Sequence, residues 1–489
     1  MSPGGPARGG GGRAGGRDLT SGPIARTLIL FALPTMGSSV LQSLNASINA
    51  VWIGRFLGPT ALAATTNASL VMFLLFAAVF GFGMAATILI GQAFGRRDID
   101  GARRVFGTAL GLFLIFGLVI TAAGWLAADR LLDLLRTPAD AHGLADLYLR
   151  VILLSVPASF VTVLITMALR GAGDAMTPLI FMGLTVVLDV VLNPVLILGL
   201  GPVPALGIAG SALATVIANL VGLAALVVTI RARDLPIRLT GAAWRYLRPD
   251  PAILKLLLAK GVPMGLQMLV VSVSVLMMVF LINAQGVATI AAFGAANQLW
   301  TYIQMPAMAV GAAVSAVAAQ NLGAGQWARV EQTMRAGIAI NIVMTGLVVL
   351  CVVLAERPLL GLFLAYGGAA LDIATHVNRI VAWSWILFGI TAVMSATVRA
   401  NGAVMVPLLI LTVALMPVRF GFALAFGPAL GADAIWWSFP VGSAVSVVLT
   451  ALYYRFGGWR SGGMAGAPAR PPVGAASKIP GNIPGKITG

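Results

Sequence analysis

Stretches of twenty or more mostly apolar residues recur along almost the whole of this sequence. A helix rising 1.5 Å per residue needs about 20 such residues to cross the hydrocarbon core of a bilayer. With no water there to satisfy the backbone, a helix is the natural way for such a segment to span. Windows of this kind fall at about 26–51, 61–90, 105–128, 147–169, 178–200 and 207–230, and again at about 262–284, 288–319, 334–355, 377–398, 404–427 and 434–455. The expectation is an all-α integral membrane protein of twelve transmembrane helices. With 59% hydrophobic and only 9% charged residues among 489, no room remains for a large soluble domain.

The formal net charge of +16 could point to nucleic acid, but the placement of the basic residues argues otherwise. They concentrate in alternate connections. Counting through the twelve windows, 24 Lys and Arg lie on one side, including Arg96, Arg97, Arg103 and Arg104 after the second window. Seven more of these lie between Arg231 and Lys260, while 6 lie on the opposite side and Arg419 falls inside a window. By the positive-inside rule the rich side is cytoplasmic, which puts both termini there. The expected organisation is a disordered tail at 1–22, an N-lobe at 23–230, a basic cytoplasmic connection at 231–260, a C-lobe at 261–456 and a disordered tail at 457–489.

The two halves share a pattern. Pro34 in FALPTMGSSV matches Pro263 in KGVPMGLQML at an offset of 229, as Arg170, Gly173 and Pro178 match Arg399, Gly402 and Pro407. Gln92 and Gly95 correspond to Gln320 and Gly323 at 228. Six spans followed by six in the same orientation imply parallel repeats related by a pseudo-two-fold axis along the membrane normal, the architecture of a transporter with two lobes. The glycines beside Gln92 and Gln320 read as turns that seat each helix pair.

Inside the windows, chemistry is scarce. Asp189, in LDVVLNPVLILG, is the only acid well inside a span, and ionisable groups at such depth mark ion or substrate pathways. Asn193 lies four residues on, hence on the same helix face, and Pro194 frees the Val190 carbonyl from its usual partner. A carboxylate buried in one state and wetted in another can exchange a proton as access alternates. The structural alternative is that Asp189 only hydrogen-bonds Asn49 or Thr215 and fixes helix packing. One cysteine, Cys351, and two histidines argue against a disulfide or a histidine-rich metal site, and no cofactor is expected. No span carries paired acids, a zinc-type His and Glu set or a nucleophile with a base, so an intramembrane enzyme fits worst.

Several motifs resemble the multidrug and toxic compound extrusion (MATE) family over about residues 22–456: FALP and IGRFLGPTALAA near the first span, GQAFGRRD after the second, RGAGDAMTP after the fourth, and LNPVLILGLGPVPALGIAGSALAT across the fifth and sixth. The resemblance implies a V-shaped antiporter in the cell (inner) membrane that expels amphipathic, cationic compounds in exchange for protons, with sodium as the second choice of coupling ion. It also implies small-molecule substrates and the lipid bilayer as partners, no nucleic acid, and a monomer. Lipid-linked saccharide flippases share the wider superfamily and are the closest rival.

Departures from the family pattern fall where coupling is decided. Many relatives carry an Asp in a first-span motif resembling VDTFWVG, whereas SINAVWIG puts Asn49 there. The fifth-span Asn and Asp are transposed here as Asp189 and Asn193, and the sixth-span Thr is kept as Thr215. The C-lobe acids of the sodium-coupled branch are replaced by Gln267 and hydroxyls. The cation-coupling expectation is therefore Asp189, Asn193, Asn49 and Thr215. Gln42, Asn45, Gln267, Asn297, Gln298, Tyr302, Met305 and Arg419 are candidates for the substrate cavity. Arg419 could hold a carbonyl network or repel cations, or it could simply pack or snorkel.

Overall fold

A computed structural model describes residues 18–134, 137–201, 204–364 and 368–461. Among these residues the chain is almost entirely helical, with no strand. The N-lobe comprises α1 (Ile24–Leu57), α2 (Pro59–Gly95), α3 (Ile99–Leu134), α4 (Ala139–Leu153), α5 (Val156–Gly171), α6 (Met176–Leu198) and α7 (Gly207–Ala232). The C-lobe follows with α8 (Pro251–Asn283), α9 (Val287–Gly323), α10 (Trp327–Leu354), the short α11 (Glu356–Leu360), α12 (Ala369–Val381), α13 (Ser384–Ala400), α14 (Met405–Val413), α15 (Arg419–Leu430) and α16 (Asp433–Phe456).

Among the described residues ten helical stretches, with α14 through α15 counted as one, are long and apolar enough to cross a membrane, and two bent pairs, α4 with α5 and α12 with α13, raise the number to twelve. The windows at 147–169 and 377–398 suggest unbroken spans, but these pairs bend by 50° and 41°. The breaks have a repeated cause. Ser155 Oγ donates to the Ile152 carbonyl at 2.7 Å, and Ser384 Oγ donates to the Val381 carbonyl at 2.6 Å, so a serine side chain engages a backbone acceptor at each bend. Both serine and carbonyl positions differ by the repeat offset of 229. In the eleventh span, α14 and α15 are joined by a π-helical turn, Ala414–Val418, that contains Pro417. An inserted residue of this kind re-aims the side chains that follow it.

The lobes meet through α1 and α2 on one side and α8 and α9 on the other. Among the described residues this contact includes the first half of α1, the last part of α2, the start of α8 and the end of α9. Gln92 of α2 donates from Nε2 to the Ala400 carbonyl of the C-lobe at 2.7 Å. Gln320 of α9 donates from Nε2 to the Gly171 carbonyl of the N-lobe at 2.9 Å. Both side chains are buried, so each bond lies out of reach of competing water. Beside them a Cβ on Gly95 would collide with the Gln320 carbonyl, and one on Gly323 with the Gln92 carbonyl. Gln92 and Gln320, read from sequence as parts of turns, thus form a reciprocal bridge between lobes.

The segments flanking the lobes are packed where they are described. Leu19 is buried; its N–H donates to Gln320 Oε1 at 3.1 Å and its carbonyl accepts from Asn321 Nδ2 at 3.1 Å. Trp459 is buried, and its carbonyl accepts from Asn401 Nδ2 at 2.7 Å. The rest of the expected tails, 1–17 and 462–489, lies outside the described residues. The connection between α7 and α8 is pinned to α3 by an Arg104–Asp250 ion pair of 2.7 Å and by Tyr246 donating to Asp100 at 2.9 Å. The Ala252 N–H and the Arg104 guanidinium hold the Asp250 carboxyl below the usual carboxylate range.

Gly323→Ala and Gly95→Ala should each lower the thermal unfolding temperature in detergent, since forcing a methyl group into a closed interface costs about 1–3 kcal/mol. Gly421→Ala, where a Cβ meets nothing within 4 Å, is the control and should unfold no lower than the parent.

Candidate functional site

Helix α6 is polar on its inner face and apolar on its outer one. Asp189 is 1% exposed and Asn193 0%, while Val187 and Val191 on the opposite side are 62% and 57% exposed. This is the arrangement a spanning helix adopts when its rare polar groups must find partners inside the protein. The helix continues through Pro194 to Leu198.

Three helices each present a pair of polar residues four apart, so that each pair lies on one helix face. From α1 come Asn45 and Asn49, from α6 Asp189 and Asn193, and from α7 Ser211 and Thr215. They converge on one carboxylate. Oδ2 of Asp189 accepts from Asn45 Nδ2 at 2.9 Å and from Asn49 Nδ2 at 2.7 Å. Oδ1 accepts from Thr215 Oγ1 at 3.0 Å and from Asn193 Nδ2 at 3.2 Å. A carboxylate offers about four acceptor positions, and all are taken by neutral donors.

The orientation of the amides follows from an outer hydrogen bond. Ser211 Oγ donates to Asn193 Oδ1 at 2.7 Å, which turns Asn193 Nδ2 inward. From there Nδ2 also reaches Asn49 Oδ1 at 3.1 Å and the Asp189 carbonyl at 2.9 Å. With its Oδ1 thus occupied, Asn49 must direct its own Nδ2 at Asp189. Asn45 Oδ1, by contrast, is buried without a hydrogen-bond partner among the described residues. Rotating that one amide would turn an oxygen toward the carboxylate, where a cation or a proton-bearing group could be received.

Asn49, Asp189, Asn193 and Thr215 are therefore in contact as one cluster. Asn45, expected in the substrate cavity, is a direct donor to Asp189. Ser211 was missed, because a serine beside glycine and alanine in GIAGSALAT looks like a small residue for close helix packing. The spacing of four to Thr215 was the available signal.

The remaining cavity candidates do not converge. Gln42 and Asn297 are exposed, Gln298 and Tyr302 are half-buried, and Met305 is buried along α9. Gln267 accepts from Arg399 Nη1 at 3.2 Å, joining α8 to the end of α13. Arg419, the first residue of α15, is buried with its guanidinium carbon 3.3 Å from the centre of the Phe439 ring on α16.

Among the described residues no group of three or more His, Cys, Asp or Glu could hold a metal. Formal charge at the α6 cluster comes from Asp189 alone.

Comparison with known proteins places this scaffold. A probable multidrug resistance protein of Bacillus subtilis, YoeA, is 36% identical over 435 residues, covering 88% of this chain and 94% of that protein. An FAD transporter of Shewanella oneidensis is 27% identical over 357 residues, 71% of this chain and 75% of its own length. A solved outward-facing multidrug resistance MATE family transporter of the MOP superfamily superposes with a TM-score of 0.82 at 25% identity, covering 90% of this chain and 97% of that one. The MatE family model matches twice, at residues 34–195 and 263–424, stretches separated by the same 229 residues as the internal repeat. The chain is a membrane protein of the MatE family.

Proposed function

We propose that the protein is a secondary active antiporter that exports amphipathic, cationic compounds in exchange for protons by alternating access of its lobes. The observation that carries this reading is the Asp189 cluster, a buried carboxylate compensated only by neutral amide and hydroxyl donors. A carboxylate without a fixed counter-cation is free to take a mobile one. The cluster is built from residues of α1, α6 and α7, with the partly exposed Asn45 and Asn49 covering Asp189.

The same oxygens could receive sodium, which is the second reading for the coupling ion. The name of the FAD transporter keeps open a larger, phosphate-bearing cargo, and a lipid-linked saccharide is the other alternative. We place the protein in the cell membrane with both termini cytoplasmic, acting as a monomer on small molecules from the bilayer or cytosol, with no nucleic acid and no cofactor.

Purified protein in vesicles should accumulate ethidium when an opposing proton gradient is imposed. If a sodium gradient alone drives the same uptake and a proton gradient does not, the proton assignment is wrong. Asp189→Asn should reduce proton-driven uptake by about tenfold or more, since it removes the only ionisable group of the cluster. Unimpaired uptake by that variant would assign Asp189 to packing alone.

Ser211→Ala should have a milder effect. Releasing the hydrogen bond that orients Asn193 costs about 1 kcal/mol, which corresponds to a several-fold weaker response to the driving ion. The readout is the shift in half-maximal proton concentration for uptake, with maximal rate unchanged.

A further inference from the structure

The joint between the lobes is filled by the chain itself on one side and left open on the other. On the C-lobe side Leu19 is buried beside the end of α9, where Gln320 Oε1 and Asn321 Nδ2 hold its backbone. Arg329 of α10 donates from Nη2 to the Gly22 carbonyl at 3.2 Å and fastens the same segment. The repeat puts Arg248 where Leu19 stands and Ala93 where Asn321 stands. Arg248 is exposed, and the chain before it lies along α3, with Tyr246 against Gly107 and Leu247 against Gly111. The N-lobe side therefore lacks a counterpart of the buried Leu19 among the described residues. Gln92 Oε1, which corresponds to the acceptor that Leu19 uses, is buried there without a hydrogen-bond partner among those residues.

A cavity of about 270 Å³ lies on that side, between the end of α2, the start of α3 and the start of α8. Leu89, Ala93, Val105, Ile253 and Leu256 give it an apolar lining, and Arg96 and Arg104 bring two guanidinium groups to it. Arg104 uses one nitrogen on Asp250, and half of its side chain stays exposed. The Arg96 side chain has no acceptor among the described residues. The acids nearby are engaged: Asp250 also accepts from the Ala252 N–H at 3.0 Å, and Asp98 accepts from the Gly101 N–H at 2.8 Å. Both helix starts are thus capped by the protein's own carboxylates, and an incoming anion falls to the arginines. Guanidinium groups pair with phosphate oxygens through parallel N–H donors, and basic pockets between spanning helices at the cytoplasmic surface suit anionic headgroups.

We propose that an anionic phospholipid of the cytoplasmic leaflet binds this cavity, its phosphate on Arg96 and Arg104 and its acyl chain against Val105, Ile253 and Leu256, and fastens the two lobes beside the glutamine bridge. Because α2 and α3 belong to the N-lobe and α8 to the C-lobe, one occupant touches both. It supplies on this side the apolar filling that Leu19 supplies on the other. The inference uses the membrane orientation proposed above and is independent of what the protein exports. Free phosphate offers the same oxyanion chemistry and is separated by the experiment.

The test titrates the full chain in detergent with phosphatidylglycerol or with phosphatidylcholine of the same acyl chains and reads the thermal unfolding temperature. Phosphatidylglycerol should raise it by about 3 °C or more and phosphatidylcholine by less than about 1 °C, as expected for a ligand that binds only the folded, joined state. Arg96→Gln should start from the parent temperature and need about tenfold more phosphatidylglycerol for the same rise, as expected for loss of a charge-assisted hydrogen bond. Arg96→Lys, which keeps the charge but not the fork, should fall between the two. Arg104 is left intact because it also holds Asp250. A photoactivatable phosphatidylglycerol needs no variant and should label wild-type peptides covering 89–105 and 252–256; if Arg96→Gln unfolds before lipid is added, this labelling decides. An equal rise with phosphatidylcholine, an unshifted titration in a folded Arg96→Gln, or labelling that omits those peptides overturns the site. If inorganic phosphate alone produces the full rise, the occupant is free phosphate and the lipid assignment is overturned.

Discussion

A carboxylate within a bilayer has no water to solvate it, and the arrangement of α1, α6 and α7 follows from that constraint. Asp189 needs about four donors, and each neighbouring helix can offer side chains only at intervals of one turn. Pairs at 45/49, 189/193 and 211/215 meet this need with the three helix faces in one register. A rotation of any of the three would strip donors from the charge, so the cluster sets the packing of this side of the N-lobe as much as it provides chemistry. Charge compensation and architecture are here the same set of hydrogen bonds.

The repeat reproduces the scaffold while the chemistry of the two lobes diverges. Ser155 and Ser384 break corresponding spans with the same hydrogen bond, and Gln92 and Gln320 bridge the lobes reciprocally. At the polar cluster the correspondence fails: Asn49, Asn193, Ser211 and Thr215 have Met278, Phe422, Pro440 and Ala444 as their C-lobe counterparts. Only Asn45 keeps a polar counterpart, Ser274, which is bonded to the π-helical turn rather than to an acid. One lobe is built around an anion with many donors and the other around a cation with a ring beneath it.

The twelve spans, the two lobes and the pairing of Asp189 with Asn193 were legible in the sequence because each rests on spacing along one chain. What escaped depended on partners distant in sequence. Asn45 was grouped with cavity residues because an asparagine on α1 gives no sign of whether it faces the gap between lobes or the acid 144 residues away. The glutamine bridge was invisible because its acceptors are backbone carbonyls, which any residue type supplies. The bends at Ser155 and Ser384 fall inside apolar runs whose length says only that the chain crosses. The π-helical turn leaves hydropathy unchanged and shows itself only in where Arg419 points.

The reciprocal bridge also bears on how the two lobes can separate. Gln92 and Gln320 are arranged reciprocally, each holding the opposite lobe, with Gly95 packed on the Gln320 carbonyl and Gly323 on the Gln92 carbonyl. Parting the lobes at that end stretches both bonds in a single displacement, since neither can lengthen alone while the helices move as rigid rods. The latch consequently behaves as one unit with a threshold instead of a graded hinge. A threshold of this kind suppresses partial separations of the lobes at that end.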